Sequence, residues 1–458
     1  MQRLSRGEIK KHTERVLQFG EGNFLRGFVD WMFDRLNKEN DGDFGVVVVQ
    51  PLPGGRVDKL NEQGGLYTLY SRGLVNNVKT EELRIVDCVT RGIDPYKNTD
   101  EFLKCAQNPD MRYIVSNTTE AGIEYRKGPE HFGETTFPGR LAIFLKARFD
   151  AGLGGFLLLP CELIDNNGTY LKQCVLRYAD DWGYGEAFKR WLDEENCFMN
   201  TLVDRIVTGY PKEIAEDIEK REGYADELID SSEIFHLWVI EGDKKYAGEL
   251  PFDKIGLNVV WTDDVKPYKK RKVRILNGAH TMFVPAAMRM GIRTVREAME
   301  DPTAAEFIKA GIFNEIIPTV DMEKSELIKF ADDVLERFRN PFIDHYLSSI
   351  ALNSVSKFRV RVLPSIKDYI GKFGKQPECL VFSLAALIDF YKNGTPSDEA
   401  SVIEFMAERS VDEILKNTGL WGEDLSFLSG SVKRYIEDIE KNGMGYGMKT
   451  ALRRTEQL

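Results

Sequence analysis

The stretch that most restricts this chain is "VLQFGEGNFLRGFVDWMFDRL", from Val16 to Leu36. A short apolar run passes through Gly20-Glu21-Gly22 into a segment where Phe24, Phe28, Trp31, Met32 and Leu36 recur at helical spacing. A strand, a tight glycine turn and a helix together set unpaired backbone N–H groups and the positive helix end against a phosphate. Gly20 makes the turn and Gly22 lets a backbone come close, which suits a dinucleotide pyrophosphate. A methyltransferase loop or a plain turn carries the same local signature. The third position of the fingerprint is Leu25, and the next glycine is Gly27, which predicts a helix set slightly further from its strand. The second strand ends in Gln50, where a carboxylate would hold the ribose hydroxyls, so this position leaves NAD against NADP open.

Further strand candidates follow at "FGVVVVQ" from Phe44, "RIVDCV" from Arg84, "MRYIVS" from Met111 and "GGFLLLP" from Gly154, separated by helical patterns. That alternation predicts a parallel sheet wrapped by helices, and runs such as Val46–Val49 suit strands covered on both faces. A chain of 458 residues exceeds one typical core. After about residue 185 longer helical patterns take over, with short strands at "FHLWVIEG" and "GLNVVWT", and the Pro-interrupted stretch between Pro251 and Pro267 is the natural boundary. The expected fold class is therefore α/β. A Rossmann-like doubly wound sheet over residues 1–257 precedes a mostly α-helical substrate and catalytic domain over residues 258–458.

With 62 basic against 73 acidic residues, the net charge of -11 argues against a nucleic-acid partner, which would need phosphate neutralisation. Six scattered cysteines show no Cys-x-x-Cys pair, and no metal-ligand spacing is present, so no metal is expected. No signal peptide and no apolar span of membrane length is seen, which points to a soluble cytoplasmic protein with no membrane partner.

The chemistry-bearing stretch lies at "KPYKKRKVRILNGAHTMF". On an α-helix at about 100° per residue, Lys272, Asn277 and His280 sit at about 0°, 140° and 80°, within reach of one cleft. Hydride transfer to a ketone needs a proton donor and groups that stabilise the alkoxide. Lysine serves where its pKa is pulled down, and Lys266, Lys269, Lys270, Arg271 and Arg274 supply neighbouring positive charge. Asn277 donates to the oxyanion and His280 orients lysine or substrate. A solvated basic turn with a core histidine is the alternative reading of the same residues.

"FGEGNFLRGFVDW" and "KVRILNGAHT", with Lys-x4-Asn-x2-His spacing, together resemble the polyol-specific long-chain dehydrogenase/reductase family, which includes mannitol dehydrogenase and hexuronate reductases. "GVVVVQP", "SNTTEAGI", "PCELIDNNG", "TLVDRIVTGYP" and "RFRNPFIDHYLSSIAL" extend the resemblance, on the hexuronate side, from about residue 15 to residue 365. The resemblance implies NAD(H) as cofactor, NADP not being excluded, bound by Phe19, Gly20, Gly22, Asn23, Phe24 and Arg26. It implies Lys272 as acid/base, with Asn277 and His280 polarising the carbonyl of a hexuronate or aldonate substrate. Leu163 stands where the mannitol branch has a second oxyanion asparagine, and Asp204 is the acid of the Val-Asp-Arg-Ile stretch, a candidate for a substrate hydroxyl or for a salt bridge to Arg205.

A hexuronate carboxylate calls for a cation, and Arg337 and Arg339, or Lys357, Arg359 and Arg361, are the candidates. The last three share a face if the segment is extended and are split around the axis if it is helical; His345 is a further candidate at that cleft. Asn117 and Glu120 follow a strand and face the nicotinamide and substrate side, or cap the next helix.

Overall fold

Six short runs form one sheet in the computed structural model, which describes residues 1–119 and 121–456. They are Glu14–Phe19 (β1), Gly45–Val49 (β2), Val89–Ile93 (β3), Tyr113–Ser116 (β4), Leu157–Pro160 (β5) and Cys197–Phe198 (β6). The spatial order is β3-β2-β1-β4-β5-β6, with every pairing parallel. Leu17 lies beside Val47 on one side and Ile114 on the other. The order reverses between β1 and β4, so the ligand crevice of such a sheet opens beyond Phe19 and Ser116.

Strand alternation divides the core in two. Val16, Val46, Val48 and Leu159 pack with Phe28, Met32 and Phe33 on one face. Leu17, Val47, Ile114 and Leu158 pack with Phe102, Leu141 and Phe144 on the other.

The "RIVDCV" stretch divides differently from expectation. Arg84–Val86 ends the strand Val78–Val86 of a separate three-stranded sheet, and the strand of the main sheet begins only at Val89. Asp87 marks the break: its backbone N–H donates to Asp34 (2.9 Å) and its carboxylate pairs with Lys38 (3.1 Å).

The chain forms two compact units. The first comprises Met1–Arg72 and Lys79–Val265, and the second Gly73–Val78 and the residues from Lys266 onward. The division falls after Val265 rather than after residue 257, because Val259–Thr262 pairs in parallel with Leu237–Glu241 and belongs to the first unit. From Lys266 the described residues form helices and turns with no strand. At their centre a helix, Glu378–Asn393, is buried on all sides from Cys379 to Tyr391, as its nearly unbroken apolar sequence requires. Glu315 seats its first turn, accepting from the backbone N–H groups of Cys379 and Leu380 (2.9 Å each) and from Thr455. Among the described residues no helix is long and apolar enough to cross a membrane, and no three His, Cys, Asp or Glu side chains are grouped to hold a metal ion.

Candidate active site

In the first unit, β1 ends at Phe19 and the chain turns at Gly20, whose φ of 132° is reserved for glycine. A Cβ there would meet the Leu25 side chain at 3.1 Å and the Asn117 carbonyl at 3.2 Å. Gly22 opens the following helix with no side-chain cap and nothing within 4 Å of the point a Cβ would occupy. The residues thus fit a pyrophosphate, with a turn no side chain can enter and an uncapped helix start beside open space. Leu25 is buried over Gly20. The close approach expected of a third glycine moves to Gly27, where a Cβ would stand 2.8 Å from Val207 and whose carbonyl accepts from Arg205 (2.7 Å).

The helix starting at Asn23 is not a regular α-helix. Asn23–Leu25 and Trp31–Glu39 flank a π-helical stretch, Arg26–Asp30, in which all five residues are buried. Arg26 is spent internally: its guanidinium donates to Leu228 O (2.6 Å) and to Asn23 Oδ1 (2.8 Å) and lies over the Tyr67 ring. It supports the turn through Asn23, where the sequence reading had it binding the cofactor directly. Asp30 accepts from Gln18 and Tyr67 (3.3 Å each), and burial raises its carboxyl to about 7. Asp230, 3.7 Å from Arg26, is raised by burial to about 6.

At the neighbouring strand ends, the Asn117 backbone N–H donates to Phe19 O (3.1 Å) and its side chain to Cys161 O (3.2 Å). Gln50 is buried beside Gly55 and Glu21. Phe24 stacks on Phe28 with centroids 5.1 Å apart. Glu120 lies outside the described residues. Sequence reading missed Glu162, a buried carboxylate that accepts from Ser116 Oγ and from the Thr118 N–H and Oγ (3.0 Å each) and so fixes the loop after β4. Its only signal was an acid in the apolar "LLLPCEL" run. Leu163 is 60 % exposed. Asp204 ends the buried strand Asn200–Asp204. Arg205 beside it donates to Glu233 O, Gly27 O and Ser71 Oγ and lies 4.0 Å over Trp31.

In the second unit, the helix from Lys266 to Arg289 also changes pitch. Lys266–Arg271 and Gly278–Arg289 are α-helical, and Lys272–Asn277 is π-helical, with the Gly278 N–H donating to Val273 O. In a π turn, residues five apart stack one above the other. Lys272 and Asn277 therefore share a face, in place of the 140° separation expected on an α-helix.

Both are half-buried, and no described residue bonds the Asn277 side-chain amide. His280 is 9 % exposed, stacked on Phe338 (4.4 Å) and edge-on to His345 (5.2 Å). Burial lowers the pKa of His345, and the nearby Arg337 lowers it further.

The cations around this stretch separate. Arg274 donates to Ser365 Oγ (2.8 Å) and Asp368 (2.9 Å), and Arg271 lies over Phe330 (4.4 Å). Lys357, Arg359 and Arg361 lie on the helix Ser354–Arg361 and are split around it. Lys357 and Arg361, four apart, share one side. Arg359 points elsewhere, into an open groove with Lys367, Trp421 and Glu423. A Cβ on Gly278 would meet the Arg361 carbonyl at 3.2 Å, so this helix end abuts the Lys272–His280 segment. The Arg361 guanidinium is half-buried, its pKa lowered by that burial, and no described carboxylate pairs with it. Lys357 donates to Ile350 O (2.9 Å). Arg339 closes the helix Lys324–Phe338, its backbone N–H on Glu336 O (3.1 Å).

Comparison with known proteins bears on both units. The mannitol dehydrogenase Rossmann domain matches residues 14–254 and the mannitol dehydrogenase C-terminal domain residues 264–443. The altronate oxidoreductases of Bacillus subtilis and Shigella flexneri are each 44 % identical to the chain, over 97 % of it and 97 % of their own length. A crystal structure of D-sorbitol dehydrogenase in substrate-free form superposes with a TM-score of 0.83 at 22 % identity, covering 95 % of each chain. The Pseudomonas fluorescens mannitol 2-dehydrogenase ternary complex with NAD and D-mannitol superposes with a TM-score of 0.69 at 21 % identity, covering 97 % of this chain and 95 % of that one. With both domains matched in order and close relatives aligned from end to end, the chain belongs to the mannitol dehydrogenase family.

Proposed function

We propose that the chain is an NAD-dependent oxidoreductase that interconverts D-tagaturonate and D-altronate. The first unit holds the dinucleotide at Gly20 and Gly22, and the second supplies the catalytic side chains. The observation that carries this reading is the Lys272-Asn277-His280 set on a helix whose π turn stacks the first two, in a chain 44 % identical throughout to altronate oxidoreductases.

The nicotinamide, when bound, supplies or takes the hydride at the substrate carbon. Lys272 holds the proton that the carbonyl oxygen gains on reduction and takes it back from the hydroxyl on oxidation. Asn277 donates its amide to the same oxygen as negative charge develops there. His280, clamped between Phe338 and His345, positions that oxygen. Arg361, half-buried with no described carboxylate partner, holds the substrate carboxylate with Lys357 beside it. Asp204 takes a substrate hydroxyl. The thiols of six unpaired cysteines accord with work in the reducing cytoplasm.

The test is a panel of tagaturonate, fructuronate, fructose and their reduced forms with NADH and NADPH, followed at the nicotinamide absorbance band. Tagaturonate with NADH is expected to turn over fastest. Preference for fructuronate or for an uncharged ketose overturns the substrate, and loss of preference between the two coenzymes overturns the cofactor.

A further inference from the structure

The end of β2 is where a dinucleotide-binding sheet commonly presents an acid to the ribose, and here it presents Gln50. We propose that Glu21, the middle residue of Gly20-Glu21-Gly22, takes the place of that acid, and that Glu21 and Gln50 together seat the adenosine ribose and discriminate against a 2′-phosphate. This rests on the dinucleotide-binding reading above.

Three observations carry it. The first is register: Phe19 pairs with Val49, and the Gly20 N–H donates to Val49 O (3.1 Å), so Glu21 leaves the sheet beside the end of β2. The second is contact across Gly55. Glu21 Oε1 and the Gln50 side chain both stand where a Cβ on Gly55 would go, so only glycine lets the carboxylate and the amide meet the loop there. Burial raises the pKa of the Glu21 carboxyl, and the backbone N–H groups of Glu21 itself and of Arg56 offset part of that rise.

The third is an unmatched donor. Gln50 is 2 % exposed; its Oε1 accepts from the Val57 N–H (3.5 Å), while its Nε2 has no partner among the described residues. A buried donor left without an acceptor is costly, and a ribose hydroxyl is an acceptor of the right kind. The loop that frames this seat is held in place, since Pro51 O accepts from Tyr96 OH (2.6 Å) and Arg140 (2.8 Å).

A carboxylate at this point accepts hydrogen bonds from ribose hydroxyls and repels a phosphate on the 2′ oxygen. The exposed Arg56, whose charge reaches Glu21, would instead favour the phosphate, whereas Arg26, whose charge also reaches Glu21, is engaged by Leu228 O and Asn23.

The test compares binding of ADP-ribose and 2′-phospho-ADP-ribose by calorimetry, and of NADH and NADPH by kcat/KM, for the wild type, Glu21→Gln, Gln50→Leu and Arg56→Ala. The wild type is expected to prefer ADP-ribose. Glu21→Gln narrows that preference about tenfold or more, and the coenzyme ratio moves with it. Gln50→Leu weakens ADP-ribose without restoring the phosphorylated ligand, and keeps the proposal testable if Glu21→Gln does not fold. The proposal falls if a folded Glu21→Gln keeps the wild-type preference, or if Arg56→Ala alone reverses it. A wild type that binds neither ligand overturns the dinucleotide reading itself, whereas intact NADH turnover with an unmoved preference overturns only the role of Glu21.

Discussion

The two units each bend a helix into a π turn at the motif that matters, and they use it in opposite ways. Arg26–Asp30 turns its charged residues inward, where Arg26 braces Asn23 and Asp30 meets Gln18 and Tyr67. Lys272–Asn277 leaves Lys272 and Asn277 half-buried on a shared face. The same change of pitch encloses the charged side chains in one unit and brings two half-buried side chains onto one face in the other. On the function proposed above, binding and chemistry can then be broken separately.

The sharpest break is Lys272→Ala. It is expected to lower kcat by about 10²–10⁴-fold while the coenzyme dissociation constant, read by quenching of protein fluorescence, stays within about twofold. Equal losses in both would show that the π turn of the second unit also serves binding. Gly20→Ala attacks the other region. A left-handed φ and contacts with Leu25 and Asn117 make it cost about 1–3 kcal/mol in stability and most of the coenzyme affinity, measured by thermal melts and calorimetry.

A smaller effect is expected from Arg274→Met, which frees the π stretch from Ser365 and Asp368. With the clamp gone, the segment can relax toward α geometry and separate Lys272 from Asn277, lowering kcat about tenfold with coenzyme affinity intact. Unchanged turnover would show that the π turn holds itself.

The mildest test is Asp30→Asn. Burial raises the Asp30 carboxyl from its ordinary 3.8 to about 7, so the folded state favours the neutral form. That contribution is complete below about pH 4 and lost as the pH rises through 7. The wild-type melting temperature is therefore expected to fall, relative to Asp30→Asn, between about pH 4 and pH 7 and to level off above that. Parallel curves would place the proton elsewhere in the buried cluster.

Much of this was readable from residues alone. Apolar runs such as Val46–Val49 suit strands covered on both faces, and Gly20 before an amphipathic segment marks the turn. The π stretches are not readable, because a register of five has no residue signature and regular α-helical spacing sets Lys272 and Asn277 well apart. Gly27 in the role of third glycine depends on Val207, a partner far along the chain. Lys357, Arg359 and Arg361 look equivalent in an extended chain and separate only once Ser354–Arg361 is helical. Glu162 escaped notice because a buried acid is marked by its partners, Ser116 and Thr118, rather than by its neighbours in sequence.

The six cysteines give the two units a built-in clock. Cys88, Cys105, Cys161 and Cys174 are buried in the first unit, Cys197 is partly buried there, and Cys379 is buried in the second. A buried thiol reacts with an alkylating reagent only when its surroundings open, so the modification rate at each site reports a local opening free energy. Mass spectrometry resolved by peptide would time the opening of the second unit at Cys379 against that of the first at Cys161. The native sequence thus carries its own probes of which half yields first under heat or denaturant.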